Sequence, residues 1–360
     1  MPKVYVFTAP GGPENQQLVE RPALVPGAGE LAVAVRAAGV NPADWKIRAG
    51  LFGATKVLPA PLGLELAGVV TAVGPGVTGV RIGDAVLGPP APGAGAFAEQ
   101  TLVRAAAVVA KPASIGFEAA ATLPIAGTTA YDLVHQVPLG PGQSVVVLGA
   151  GGGVGRLAVQ LARARGARVL GVASEAKRQV VESAGAVHVP SGPHAPQAVR
   201  TLLPDGADLI VDLVGGEVLR SLGAALAATG TVVTAADPGV AAELGGSGRQ
   251  HLDGTLAAVA AAAAAGGVGP LVAAAFPLDQ AGAALAATGT VVTAADPGVA
   301  AELGGSGRQH LDGTLAAVAA AAAAGVVDPL VTAAFPLDQA GAALAEVEAG
   351  HTAGKIVIVP

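Results

Sequence analysis

The sequence predicts an α/β protein with two units, a β-rich unit followed by a doubly wound parallel sheet. Two sequence patterns, one in each part of the chain, support this architecture. The N-terminal part consists of short apolar runs broken by Gly and Pro, which is typical of an irregular β unit. From Ser144 onward, apolar runs alternate with helical stretches, and this alternation predicts a parallel sheet with helices on both faces.

The β-rich unit contains four strand candidates separated by Gly- and Pro-containing turns, at residues 3–7, 31–37, 68–73 and 85–87. Two helical stretches follow, at residues 116–127 and 128–135. The parallel sheet then has strand candidates at 145–148, 168–173, 208–214 and 231–234. Its helices are expected at 155–164, 175–183 and 217–227.

Composition excludes several classes of function. The 360 residues suffice for two domains, and 52% of them are apolar. With 13% charged residues and a net charge of −6, nucleic acid and anionic membranes are unsuitable partners. The absence of Cys excludes disulfides, thiolate zinc ligands and cysteine nucleophiles. Because neither a signal-peptide core nor a membrane-span-length apolar stretch is visible, we expect a soluble, cytoplasmic protein.

A tandem repeat occupies the C-terminal part of the chain. Residues 223–281 recur as residues 282–340, and the copies differ only at Gly267/Val326, Gly269/Asp328 and Ala273/Thr332. A solenoid would need three or more units, so two nearly identical copies indicate a recent duplication instead.

The repeat creates an ambiguity, because residues 231–234 and their copy 290–293 are both suited to the fifth strand of the sheet. We expect the first copy there, since it follows the preceding helix without a break. Residues 242–303 would then form a looped-out insertion. An extra strand pair at the sheet edge and a swapped dimer are the alternatives.

A glycine-rich turn stands between the first strand of the parallel sheet and the helix after it. The turn reads Gly149-Ala150-Gly151-Gly152-Gly153-Val154-Gly155. Glycines allow the backbone to approach a pyrophosphate, and the helix N-terminus offers free N–H groups. We therefore predict that Gly149, Gly152, Gly153, Val154 and Gly155 bind a dinucleotide; the alternative is a flexible turn in a Gly-rich chain.

The end of the second strand distinguishes NADH from NADPH. An acidic residue there would hold the ribose 2′-hydroxyl of NAD. This strand ends at Ser174, with Lys177 and Arg178 close behind, and a hydroxyl with two cations suits the 2′-phosphate of NADPH. Glu175 would favour NADH if it stood at the ribose, and the two cations could instead be a solvated helix face.

Several further blocks follow one another in a characteristic order. They read VNPADWKIRAG at 40–50, GLELAGVV at 63–70, GPGV at 74–77, GDAV at 83–86, AAA at 119–121 with GTTAY at 127–131, and GHTAGKIVI at 350–358. Together these blocks resemble the zinc-independent quinone oxidoreductase and enoyl reductase branch of the medium-chain dehydrogenase/reductase superfamily.

The resemblance implies a GroES-like catalytic domain at residues 1–118, completed by about 330–360, and a Rossmann NADP-binding domain at 119–330 that contains both repeat copies. The active site is expected in the cleft between the domains. Zinc-using relatives carry a Cys near Asn41 and a His before the Glu at position 65. This chain has Asn41 and Leu64 instead, so we expect no catalytic metal.

The resemblance also implies hydride transfer from NADPH to a quinone or an α,β-unsaturated carbonyl compound. Asn41 is the first candidate for contact with the nicotinamide or the substrate oxygen, with a turn-forming role before Pro42 as the alternative. Thr129 is the candidate for the nicotinamide ribose or carboxamide. Lys46 and Asp44 could deliver a proton or form a surface ion pair.

Two more residues are assigned by position. Val214 is expected to border the nicotinamide, and Lys355 could reach the pyrophosphate or simply lie on the surface. Other functions stay open: an enoyl reductase for polyketide or fatty-acyl thioesters, or a nucleotide-binding sensor or partner subunit without turnover. A homodimer is also possible.

Overall fold

The computed structural model describes residues 1–51, 57–281, 292–294 and 355–359. The chain divides into two units. The first unit comprises Met1–Ile125 and the described residues from Leu271 onward, and the second comprises Ala126–Pro270. The second unit thus ends earlier than the 330 expected for the nucleotide domain, and most of residues 282–340 lie outside the described part.

The regular elements of the first unit are mainly strands. They are β1 (Lys3–Phe7), β2 (Gln16–Glu20), β3 (Glu30–Val40), β4 (Ala60–Pro61), β5 (Glu65–Val73), β6 (Ala85–Gly88), β7 (Gln100–Arg104), β8 (Val109–Ala110), β15 (Val272–Pro277), β16 (Val292–Ala294) and β17 (Lys355–Val359). Its helices are α1 (Pro42–Arg48) and α2 (Phe117–Ala120). One sheet has the order β2-β1-β4, and the larger one has β15-β16-β17-β3-β5-β6-β8 with β7 on β3. This is the GroES-like β unit, and its last described strand, β17, is antiparallel to β3.

The second unit is a six-stranded parallel sheet with helices. Its strands are β9 (Ser144–Leu148), β10 (Arg168–Ala173), β11 (Val187–Pro190), β12 (Ala207–Asp212), β13 (Leu226–Thr234) and β14 (Ser247–Gly248). The helices are α3 (Thr128–His135), α4 (Gly153–Ala164), α5 (Arg178–Ser183), α6 (Ala195–Leu202), α7 (Gly216–Leu222), α8 (Pro238–Glu243) and α9 (Thr255–Ala264). The order β11-β10-β9-β12-β13-β14 is the dinucleotide-binding order 3-2-1-4-5-6, which reverses at β9.

The position of β9 in the middle of this sheet explains why it is buried. Every residue of the central strand β9 is buried. Its Val146 and Leu148 belong to a core that also includes Leu170, Ile210 and Val232. A parallel strand covered on both faces is expected to be apolar throughout. The predicted α/β class with a parallel sheet is therefore confirmed.

Some predicted boundaries were wrong. The strand predicted at 208–214 ends at Asp212. In the helix predicted at 217–227, the α-helix ends at Leu222, a 3-10 helix continues over Gly223–Ala225, and β13 begins at Leu226. The chain turns at Asp212 because its Oδ1 accepts hydrogen bonds from the N–H groups of Val214 and Gly215, both at 2.9 Å.

The first repeat copy occupies the fifth strand position, as expected: β13 is parallel to β12. The looped-out insertion at 242–303 was wrong, since residues 242–281 form the end of α8, then β14, α9 and β15. Hydrogen bonds at Gly269 fix the last part of this copy that belongs to the second unit. Gly269 donates from its N–H to Gln160 Oε1 at 2.6 Å, and its carbonyl accepts from Arg156 Nε at 3.3 Å, both on α4.

Candidate functional site

The glycine turn is fixed to its two neighbouring strands. Gly149 follows β9 with φ +87°, a left-handed conformation that favours glycine. The N–H groups of Gly149 and Ala150 donate to the carbonyl of Val172 on β10, at 3.0 and 3.2 Å. The turn closes with a bond from Gly152 N–H to the Gly149 carbonyl at 3.1 Å.

Two glycines of this turn differ in what surrounds them. A Cβ at Gly155 would lie 2.2 Å from the Gly149 carbonyl oxygen, so glycine is required there for α4 to pack on the turn. A Cβ at Gly152 would find only that oxygen, at 3.5 Å, and φ −91°, ψ 170° is extended backbone open to any residue. The protein itself therefore gives no steric reason for glycine at 152.

The N-terminus of α4 opens directly from this turn. Gly153, Val154 and Gly155 form the first helical turn, where N–H groups have no intrahelical acceptor. The 12-residue helix buries Leu157 and Leu161 against the sheet, which fixes its direction. An anion at this end would meet both N–H donors and the positive end of the helix dipole.

Lys177 lies against the glycine turn. A Cβ on Gly151 would be only 2.5 Å from Lys177 Cδ and 2.7 Å from its Cβ, so the aliphatic stem of the lysine covers the Gly151 backbone. Burial lowers the pKa of Lys177. Ser174 follows β10 nearby, and its Oγ is buried without a hydrogen-bond partner among the described residues.

Arg178 is placed differently from Lys177, although sequence analysis paired them. Its guanidinium is 2.6 Å from the Glu175 carboxylate and 3.2 Å from that of Glu182, and these bonds raise the Arg178 pKa. In the other direction, the bond to Arg178 lowers the pKa of Glu175. The arginine therefore serves first to neutralise two exposed carboxylates, which the i,i+3 and i,i+4 spacings allow.

Val214 borders the same edge of the sheet. It follows β12, is 51% exposed, and its Cγ2 would be 3.3 Å from a Cβ on Gly149. Asp212, whose carboxylate fixes the Val214 and Gly215 amides, also accepts the Thr234 hydroxyl at 2.5 Å. The carboxyl ends of β9, β10 and β12 thus bring together the glycine turn, Ser174, Lys177 and Val214.

Thr129 is joined to residues that sequence analysis did not identify. Its Oγ1 accepts from Arg249 Nη1 at 2.7 Å, and Arg249 also pairs with the buried Asp132 at 2.7 Å. Asp132 accepts the Thr255 hydroxyl as well, at 2.7 Å. These bonds attach the segment after β14 to α3.

Asn41 caps α1 in the first unit and is 4% exposed. Its Nδ2 donates to Glu65 Oε1 at 2.9 Å, and its N–H donates to Asp44 Oδ2 at 2.7 Å. Asp44 is fully buried, so it does not fit the surface ion pair considered for it. Lys46 lies on α1 with its Nζ 5.8 Å from the centroid of the Trp45 ring, and Lys355 begins β17.

The described part of the chain offers no candidate metal centre. Within residues 1–51, 57–281, 292–294 and 355–359, no cluster of three or more His, Cys, Asp or Glu residues is suited to a metal ion. In the same ranges, no helix has the length and apolarity to cross a membrane.

Family models match three parts of the chain. The alcohol dehydrogenase GroES-like domain matches residues 27–113, and zinc-binding dehydrogenase models match residues 153–246 and 288–358. The first of the two zinc-binding dehydrogenase matches ends within the first repeat copy, and the second begins within the second copy. The chain belongs to the medium-chain dehydrogenase/reductase superfamily.

Similar proteins agree with this membership. A synaptic vesicle membrane protein VAT-1 homolog of Rattus norvegicus is 38% identical over 218 residues, which are 59% of this chain and 53% of the relative. A 2-methylene-furan-3-one reductase of Solanum lycopersicum is 35% identical, over 56% of this chain and 55% of the relative. The chain thus spans about half the length of the curated relatives it matches.

One solved structure extends the comparison over nearly a whole protein. The quinone oxidoreductase from Coxiella burnetii has 28% identity and a TM-score of 0.72, covering 82% of this chain and 99% of the other. The share of this chain left uncovered is close to the length of one repeat copy.

Proposed function

We propose that the protein is a zinc-independent, NADPH-dependent reductase that transfers hydride to a quinone or an α,β-unsaturated carbonyl compound. The similarity to the 2-methylene-furan-3-one reductase of Solanum lycopersicum and to the quinone oxidoreductase of Coxiella burnetii supports these two acceptor classes. When bound, the nicotinamide supplies the hydride. The protein supplies the binding site, the orientation and the exclusion of water.

The position of Lys177 against Gly151 carries the choice of NADPH. It puts a cation beside the turn that would receive the diphosphate. The ammonium is partly desolvated, so an additional phosphate would offset the cost of its burial. Glu175, which could otherwise repel a 2′-phosphate, is neutralised by Arg178. Ser174 Oγ, buried and without a partner among the described residues, offers a hydroxyl at the same edge.

The residues fit a dinucleotide in other respects. Gly152 leaves open space beside the α4 N-terminus, where a diphosphate would lie. We assign Asn41 and Thr129 to the nicotinamide end and Val214 to its border. Lys46 and Lys355 remain candidates for proton delivery and the pyrophosphate.

The first test is a titration of the purified protein with NADPH and NADH, followed by nicotinamide fluorescence. Saturable binding with NADPH tighter supports the proposal. Tighter NADH would mean that Glu175 holds the ribose, and no binding of either by folded protein would overturn the assignment.

The second test is turnover. NADPH oxidation is measured with quinones, enones and acyl thioesters as separate acceptors. Turnover only with thioesters would favour the enoyl reductase alternative. Tight NADPH binding without oxidation by any acceptor would favour a nucleotide-binding subunit.

A further inference from the structure

Glu65 is a buried carboxylate that the proposed hydride transfer does not use. It is the first residue of β5 and is fully buried. A buried carboxylate is costly unless hydrogen bonds satisfy it, so its partners indicate what it does.

Its two oxygens bond to two separate parts of the first unit. Oε1 accepts from Nδ2 of Asn41 at 2.9 Å, and Oε2 accepts from the N–H of Ile125 at 2.7 Å. Asn41 begins α1, and Ile125 is the last residue before the chain enters the second unit. One carboxylate therefore fixes both the Asn41 side chain and the exit of the chain from the first unit.

Gly39 shows that the fold reserves space for this carboxylate. A Cβ on Gly39 would lie 2.0 Å from Glu65 Oε1 and 2.3 Å from its carboxyl carbon. Gly39 lies in β3, where its partner across the sheet is Val357 of β17. Any other residue at 39 would have to displace the acceptor of the Asn41 amide.

The chemistry of the pair determines the orientation of the amide. A carboxylate only accepts, so the NH2 group of Asn41 must face Glu65. Its second acceptor is the Gly39 carbonyl, at a long 3.5 Å. With the NH2 group directed to these two oxygens, the amide oxygen faces the Asp44 N–H in the capping box of α1, and its second lone pair has capacity for a ligand donor.

We propose that Glu65 is a positioning residue for the reductase reaction: it fixes the Asn41 amide with its oxygen available to the ligand. This inference rests on the proposed function, because it assumes that Asn41 contacts the nicotinamide or the substrate. It also makes Asn41 an acceptor toward an N–H, such as that of a carboxamide, rather than a donor to an oxyanion.

The test compares five proteins: wild type, E65Q, N41D, the double variant E65Q/N41D, and E99Q. Glu99 is the matched control, an exposed carboxylate of the same unit that accepts one backbone bond, from Lys3 N–H at 2.9 Å. Thermal unfolding, NADPH affinity, and kcat and KM with the best acceptor are measured for each.

In E65Q, the NH2 group introduced at position 65 favours a flipped Asn41 amide, which would present NH2 instead of oxygen to the ligand. We expect E65Q to lose about 10²-fold in kcat/KM, as for a misplaced contact group. N41D places two carboxylates together and should be unstable. The double variant restores a donor–acceptor pair, because the carboxylate introduced at position 41 accepts from the amide introduced at position 65. Both its stability and its kcat/KM should therefore recover toward wild type.

Three outcomes would overturn the positioning role. They are an E65Q protein as active as E99Q, a loss of activity only in proportion to lost stability, and a double variant that regains stability but not activity. Failure of the proposed function looks different: wild type would oxidise no acceptor. NADPH affinities across the series would then still show whether Glu65 orients the Asn41 amide. A wild-type protein that also fails to bind NADPH overturns both the proposed function and the positioning role.

Discussion

Replacing Gly152 by Ala distinguishes the effect of a side chain at this position on protein stability from its effect on cofactor binding. In the free protein the change is nearly neutral. Removing a glycine at a compatible backbone conformation gains about 0.4–1 kcal/mol through the unfolded state. Ala is a poorer helix N-cap than Gly, which costs a similar amount, on the order of 0.5–1 kcal/mol. Because the added Cβ meets nothing closer than 3.5 Å, no steric cost is added.

Binding should respond differently. A methyl group at 152 would lie where the diphosphate approaches the α4 N-terminus. Two charge-assisted hydrogen bonds, each worth roughly 1.5–3 kcal/mol, would be lost or lengthened. A loss of about 3 kcal/mol corresponds to a roughly 10²-fold weaker Kd for NADPH. The unfolding midpoint should change by no more than about 2–4 °C.

Gly155→Ala is the matched comparison. Its Cβ would be 2.2 Å from the Gly149 carbonyl oxygen and 2.7 Å from Ala150 Cα, both backbone atoms that cannot turn away. Overpacking of this kind costs about 1–3 kcal/mol, so this variant should lose stability without any ligand. Thermal unfolding and fluorescence titration of both variants make the comparison. Wild-type NADPH affinity in G152A would refute the location of the diphosphate, and equal destabilisation of both variants would refute the steric argument.

Three further predictions concern other parts of the molecule. Burial lowers the pKa of Lys177, and a bound phosphate favours its charged form. NADPH affinity should therefore fall as the pH rises through the Lys177 pKa of the free protein, and it should fall more steeply than NADH affinity. Titrations from neutral pH to about pH 10 test this, and K177M should remove the difference between the two cofactors. R249M leaves the buried Asp132 without its cation and should lower the free energy of unfolding, measured in urea, by about 3–5 kcal/mol. The double variant D132N/R249M should lose less stability. An unchanged midpoint in R249M would contradict the role of the pair. Deleting residues 282–340 removes β16 but retains the sequence of β13–β15 and β17, and β15 also pairs directly with β17, so NADPH affinity should be preserved. A deletion variant that folds but does not bind would show that the second copy contributes to the site.

Local sequence patterns predicted the local structure of the candidate site, that is, the strand, turn and helix that form it. The strand, glycine turn and helix around Gly149 and Gly155 are consecutive in sequence, so their order alone indicated a phosphate-binding geometry. The end of β12 was misplaced because the Asp212 carboxylate binds the next amides, a local competition with strand pairing that apolar runs do not reveal.

Long-range pairs could not be predicted in this way. Arg249 and Asp132 are 117 residues apart, and Glu65 binds an amide 60 residues away at Ile125. Periodicity and turn signals describe neighbours along the chain and contain no information about such partners. The resemblance marked position 65 only as a place where zinc-using relatives differ, and its bond to Asn41 emerged from the fold.

Gly269 is one of the three positions at which the two repeat copies differ. Its backbone bonds to Arg156 and Gln160 hold the first copy on α4, and the corresponding residue of the second copy is Asp328. Arg249 and Thr255, by contrast, recur unchanged as Arg308 and Thr314. The bonds at Gly269 use backbone atoms, and a Cβ there would meet nothing within 4 Å, so Asp328 has the same donor and acceptor and no steric obstacle to making them. The side chains of the two copies therefore discriminate only weakly between them, and the direct connection from α7 favours the first copy at the fifth strand position.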